Sequence, residues 1–230
     1  PEALTVAFAR RFAAYKRPDL LFHDPARLRR IVTHNGRPVQ VIIAGRAHPN
    51  DQPAKRLLQR LYNLAADRGF QGRITFVPDY DIHLASYLAQ GADLWLNTPR
   101  RLQEASGTSG MKAAVNGVLH LSVRDGWWAE GFTGSNGWAI GGDRQMASAE
   151  AEDAADAEAL YRLLEEEVVP LYYERDSKGV PLRWARRMKE SIRSVAPLFC
   201  AQRMLKEYTQ RFYLPPHRRE TGVPRENGGA

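Results

Sequence analysis

The chain has 230 residues, 43% of them hydrophobic, with 33 basic against 26 acidic side chains and a net charge of +7. That is enough material for one sizeable core with appendages, and no run of about 18 apolar residues exists, so no membrane span is expected. The positive balance suits an enzyme of anionic phosphates or a nucleic-acid binder, but zinc-finger spacing, an RNP signature and an interleaved aromatic and basic stripe are all missing.

In chain order, Leu4 to Phe8 reads as a buried strand. Asp24-Pro25 is an N-cap with proline at the first helical turn, opening a helix from Ala26 to Val32. Val39 to Ala44 is an apolar strand ended by Gly45. Asp51 caps a helix whose apolar positions are Leu57, Leu58, Leu61, Leu64 and Ala65, and Gly69 stops it. Ile74 to Val77 is a third strand, and Asp79 or Asp81 caps a helix through Leu88. Ala92 to Leu96 is a fourth strand, a glycine-rich turn leads to a helix from about Gly110 to Val115, and Val118 to Ser122 is a fifth strand. An Ala/Glu/Asp-rich run from Ala147 to Ala159 leads into a helix ending near Val169-Pro170. Pro181 to Tyr213 is helical again, interrupted by Pro197. The tail from Pro215 to Ala230 is predicted to be disordered.

Alternating strands and helices predict α/β architecture, a doubly wound parallel sheet with right-handed crossovers. The near-continuous apolar strands agree, since a parallel sheet is covered on both faces. The expected organisation is a Rossmann-like domain over residues 1–145, a helical segment over 146–214 packing on it, and the tail 215–230. The N-terminus lacks the order of a signal peptide and opens in a strand-like run, as the interior of a longer protein does. The single Cys200 cannot form an internal disulfide, which fits a reducing cytoplasm. Arginines such as Arg27, Arg29, Arg30, Arg183, Arg186 and Arg187 sit among acids at helical spacing and read as solvated helix faces.

Ligands of such a sheet lie beyond the carboxyl ends of the strands, so the loops there carry the information. The most specific is Glu104-Ala-Ser-Gly-Thr-Ser-Gly-Met-Lys112, followed by Asn116-Gly117. Gly107 and Gly110 permit a tight turn and close approach to a ligand. A helix start with free N–H groups there makes an anion site, to which Thr108 and Ser109 add hydroxyls. It is not a Walker A loop, because Met111 precedes Lys112 and no Ser or Thr follows it. The second segment is Phe8-Ala-Arg-Arg11-Phe-Ala-Ala-Tyr15-Lys16-Arg17, which sets cations just beyond the first strand. Arginine offers a bidentate fork to phosphate and lysine a compact charge. In Ala44-Gly-Arg-Ala-His-Pro-Asn-Asp51, the lone His48 reads as exposed or structural. Trp127 and Trp128 are able to stack on sugar, with core burial the stronger reading for at least one.

These segments together resemble the α-glucan phosphorylases, whose cofactor-attachment motif also reads Glu-Ala-Ser-Gly-Thr-x-x-Met-Lys. The resemblance runs from about Leu4 to Pro215 and is closer to the short bacterial and archaeal enzymes than to the larger animal type. It implies pyridoxal 5′-phosphate (PLP) as cofactor, with Lys112 as the Schiff-base lysine. Thr108, Ser109 and Gly110 become neighbours of the cofactor phosphate, and Tyr80 touches the cofactor ring. Glu104, Ser106 and Gly107 become contacts of the transferred glucose, and Arg11 and Lys16 grip the substrate and cofactor phosphates. No metal is implied. Arg10 stands where the family often has lysine, and Ala13 where it often has histidine, so no polar role attaches to position 13. The implied reaction is phosphorolysis of terminal α-1,4 bonds to glucose 1-phosphate in the cytoplasm. The implied partners are glucan, phosphate, the N-terminal domain such enzymes carry, and a second copy in a homodimer; nucleic acid and membrane are not among them. On this reading the chain alone is inactive. The rival enzyme reading is a nucleotide-sugar glucosyltransferase of the glycogen or starch synthase kind, which lacks PLP and the Gly-Met-Lys run. The non-enzymatic rival is a remnant that binds PLP or phosphate without turnover.

Overall fold

The computed structural model describes residues 3–70, 72–142 and 146–215. In chain order the first part runs β1 (Leu4–Ala9), α1 (Pro25–Val32), β2 (Val39–Ala44), α2 (Gln52–Ala65), β3 (Ile74–Val77), α3 (Ile82–Gly91) and β4 (Leu94–Asn97). It continues with α4 (Thr108–Val115), β5 (Leu119–Val123), α5 (Trp127–Gly131) and β6 (Gly137–Ile140). All six strands form one parallel sheet in the order β3-β2-β1-β4-β5-β6. The chain winds outward from β1 to β3, then returns to place β4 against the other side of β1. The doubly wound α/β class expected from the sequence is therefore correct. The β1/β4 junction is the switch point, where loops leave in opposite directions and open a crevice.

Burial explains the strand sequences. Every residue of β1 is buried. Leu4, Val6 and Phe8 join the large core on one face. Ala7 and Ala9 face a second cluster with Ala44, Leu88, Ala89 and Trp95, so small side chains let α3 and α4 approach the sheet closely. Helix starts follow the cap residues. Asp24 accepts from Arg27 N at 2.9 Å, Asp51 from Ala54 N at 2.9 Å, and Asp81 from Leu84 N at 2.8 Å. Asp81 is thus the cap of α3, while Asp79 adopts a left-handed φ of 54°.

Beyond the sheet lie α6 (Ala149–Leu163), a π turn over Leu164–Val168, α7 (Val169–Tyr173), α8 (Leu182–Val195) and α9 (Ala201–Tyr208), which runs on into a second π turn. Ala157, Leu160, Tyr161 and Trp184 share one core with Leu4 and Val6.

Three expectations need correction, and one strand was not expected. The helix through Val169-Pro170 does not stop there. The π turn runs straight into α7, with Pro170 in the first turn of that segment. A sixth strand, β6, spans Gly137–Ile140, a segment to which the sequence pattern assigns no element. Gly137 is required there, since a Cβ would lie 2.4 Å from the His120 carbonyl. Helix α4 begins at Thr108, two residues before Gly110. Finally, two arginines read as solvated are engaged: Arg27 pairs with Glu158 and Glu165 over the Tyr161 ring, and Arg187 stacks on Trp138 at 4.5 Å. The break at Pro197 occurs as expected, between α8 and α9. The tail expectation for 216–230 falls outside the described residues.

Candidate functional site

The loops after β1 and β4 form the walls of a cavity of about 450 Å³ at the switch point. Arg11, Lys16, Tyr80, Glu104, Ser106, Gly107, Thr108, Ser109 and Lys112 all line it, together with Arg10 and Trp95. Gly110 lies behind that wall. A Cβ there would sit 2.5 Å from His120 Cε1 and 2.8 Å from Trp127 Nε1, so glycine lets α4 rest on an aromatic floor.

Each wall is held by backbone contacts. Ala14–Lys16 is a single 3-10 turn closed by Arg17 in the left-handed region, φ 41°. The Thr98 hydroxyl reaches the Lys16 and Arg17 carbonyls at 3.0 and 2.9 Å. Arg17 is buried; its Nε donates to Thr98 O at 3.0 Å and its Nη2 to Pro99 O at 2.9 Å. Its charge is met by Asp153 at 2.8 Å and Asp156 at 2.5 Å, both on α6. Burial nonetheless raises Asp156 above the ordinary carboxylate range, against the opposing pull of Arg17.

On the second wall, Gly107 caps α4 in the left-handed conformation (φ 85°, ψ 49°) and offers no side-chain cap. The first N–H groups of a helix lack intrahelical partners; here the Gly110 N–H donates to Gly107 O at 3.1 Å, and Thr108 and Ser109 line the cavity. Lys112 is exposed, one turn into the helix, and no ion pair engages it or Arg11 among the described residues. Its carbonyl accepts from Asn116 Nδ2 at 2.8 Å.

Glu104 joins the two walls. Its Oε2 accepts from Arg10 Nη2 in a close ion pair and from Lys16 Nζ at 3.2 Å. Arg10 in turn donates through Nη1 to Asn97 Oδ1 at 3.0 Å. Beneath Asn97, His120 is fully buried, and burial, helped by the Arg10 charge, lowers its pKa to about 3. The ring is therefore neutral at physiological pH. Tyr80 is raised above the usual phenol value by burial, with Arg10 acting the other way, and its hydroxyl lies 3.4 Å from Ala9 O.

The chemistry of the lining suits PLP. It offers an unpaired amine at Lys112 and a helix start with two hydroxyls for a phosphate. Ala9, Ala85, Ala89 and Tyr80 supply an apolar and aromatic wall, and the buried Trp95 Nε1 has no partner. The residues fit such a group. No cluster able to hold a metal ion occurs among the described residues.

His48 is exposed, its Nδ1 accepting from Asn50 N at 3.2 Å. Trp127 and Trp128 are both buried and pack against His120, Trp127 tilted to its ring and Trp128 edge-on, so neither presents a face to sugar. Sequence reasoning assigned no site role to Arg10, Asn97, His120 or Asp125. A polar residue within a mostly apolar strand, Asn97 at the end of β4 and His120 second in β5, was the available signal.

Fold and site together define a doubly wound α/β protein with a cavity lined by basic side chains at its switch point. A model of the carbohydrate phosphorylase family matches residues 1–134, and the chain belongs to that family. Glycogen phosphorylase of Aquifex aeolicus is 56% identical over 217 residues, 92% of this chain but 30% of that protein. Maltodextrin phosphorylase of Thermococcus litoralis is 49% identical over 92% of this chain and 25% of its own length. Glycogen phosphorylase of Mycobacterium tuberculosis strain H37Rv is 44% identical over 94% and 25%. The chain thus spans between a quarter and a third of the length of these relatives. No helix among the described residues is long and apolar enough to cross a membrane.

Proposed function

We propose that the chain is the PLP-carrying part of a cytoplasmic α-glucan phosphorylase. The observation that supports it most is one cavity lined by Lys112, Arg11, Lys16 and the start of α4. In this reading Lys112 anchors the cofactor covalently and Thr108, Ser109 and Gly110 surround its phosphate, with Tyr80 against its ring. When bound, PLP supplies a phosphate group for proton transfer rather than its more usual electron sink.

The reaction exchanges one oxygen at the sugar's anomeric carbon for another. The α-1,4 bond to the departing glucan breaks, a bond to a phosphate oxygen forms with retention, and the phosphate's proton passes to the leaving sugar oxygen. Arg11 and Lys16 hold two phosphate groups together against their repulsion. Glu104, Ser106 and Gly107 bind the glucose being transferred. Residues 1–145 carry these groups and 146–214 form their helical cover.

The opposite wall of the cleft comes from the part of the relatives' length that this chain does not span. Catalysis needs both reactants positioned and water excluded, so this chain alone is expected to be nearly inactive. The test is a full-length polypeptide given maltooligosaccharide and inorganic phosphate without nucleotide. Release of glucose 1-phosphate supports the reading; turnover that requires ADP-glucose or UDP-glucose replaces it with the synthase reading.

A further inference from the structure

The loop after β5 has no part in the reaction as derived, yet it grips the loop that carries Glu104. Asp125 is buried, 8% exposed, and its Oδ2 accepts two backbone hydrogen bonds, from Gln103 N at 3.1 Å and Glu104 N at 2.7 Å. Two residues on, Trp127 N donates to Ser106 O at 2.8 Å. Gly126 between them adopts φ 53° and ψ −135°, and a Cβ there would lie 2.5 Å from Ser106 O and 3.0 Å from Glu104 O. The two loops therefore touch backbone to backbone. The Asp125 carboxylate supplies the acceptor for the Glu104 N–H and shares the Gln103 N–H with the Arg100 carbonyl, 3.2 Å away.

We infer that Asp125 is a positioning residue: it fixes the Glu104 backbone, and through it the carboxylate that meets Arg10, Lys16 and the substrate. This rests on the phosphorylase reading for its consequence and on geometry alone for its mechanism. A carboxylate is suited to the task, because charge-assisted hydrogen bonds are shorter and roughly twice as strong as neutral ones. Asp125 itself lies outside the cavity wall, so it exchanges no proton with substrate.

Two arms separate the two claims. On this chain, amide hydrogen exchange is compared for the native protein, D125A and D125N. D125A should speed exchange at Gln103 and Glu104 while the sheet strands stay protected; D125N, whose amide oxygen takes the same seat, should stay close to native. Unchanged protection at Glu104 in D125A overturns the inference. Should D125A fail to fold, the Glu104 amide proton in D125N decides: it should move upfield as the acceptor loses its charge, and an unmoved resonance overturns the inference.

In the full-length polypeptide, D125A should lose about a hundredfold in kcat/KM, the scale of a 1 Å misplacement. D125N should recover to within about tenfold, in line with its weaker neutral bonds, and neither should change the shape of the pH profile. A D125N as slow as D125A, or an altered profile, contradicts positioning. An inactive native enzyme with the exchange result intact would count against the phosphorylase reading alone.

Discussion

Arg17 is the residue on which the first wall depends, and its replacement gives the most quantitative test of the packing. Its side chain is 4% exposed and the Asp156 side chain 10%. Replacement by methionine keeps much of the volume and removes the charge. It leaves Asp156 buried without its partner, and the Thr98 and Pro99 carbonyls without donors. Removing one member of a buried ion pair costs about 3–5 kcal/mol. Asp153, 32% exposed, recovers water contact and adds little. For a chain of this size the expected fall in Tm is on the order of 10 °C.

The loss should depend on pH with a definite sign. Asp156 already titrates above its ordinary range, and without Arg17 it moves higher still. A carboxyl whose folded pKa exceeds its unfolded one loses stability as pH rises through the folded value. The gap between Arg17→Met and the native chain should therefore be wider at pH 8 than at pH 5. Urea melts at both pH values measure it, and Arg17→Met with Asp156→Asn should recover at least half, because the stranded charge is gone. A single-variant loss below about 1 kcal/mol, the scale of an exposed pair, would refute the reasoning.

Gly110→Ala should cost at least about 1 kcal/mol through overpacking against His120 and Trp127, despite alanine's better helix propensity; a chain stabilised in thermal melts contradicts the close approach. His120, with its folded pKa depressed to about 3, should show no titration by ¹⁵N NMR between pH 5 and 8. As pH falls below its unfolded value near 6.5, stability should drop by up to roughly 1.4 kcal/mol per pH unit; a ring that titrates near 6.5 in the folded chain would be incompatible with that burial. Leu205, Tyr208 and Phe212 are 62%, 48% and 61% exposed, an apolar stripe at helical spacing. The chain should self-associate in sedimentation runs, and Leu205→Glu with Phe212→Glu should return it to monomer; equal association by the double variant would acquit the stripe.

The architecture was legible because the strands of a covered parallel sheet are mostly apolar and the first three helices each start at an aspartate. Asp24, Asp51 and Asp81 all cap where an aspartate was read as a cap. Strand β6 was hidden because close pairing with β5 demands Gly137, and a glycine inside a strand looks like a turn. The walls of the cavity were legible through the Glu104–Lys112 segment because it resembles the phosphorylase motif; its glycines by themselves read equally well as a plain turn. Its supports were not. Asp125 acts through backbone N–H groups some twenty residues away, and Arg17 through acids on α6 more than 130 residues on. Local spacing carries no trace of such pairings. Arg27 and Arg187 misled for the same reason: a charged helix face looks solvated until the neighbouring element is known.

The measurement closest to the central claim is borohydride reduction of the protein after incubation with PLP, followed by peptide mapping. The absorbance of bound PLP should shift on reduction, and the label should be fixed to the peptide that contains Lys112. Lys112→Ala should abolish it while leaving the fold intact by circular dichroism. Labelling that persists in Lys112→Ala, or that maps to another lysine of the folded full-length polypeptide, would contradict the account.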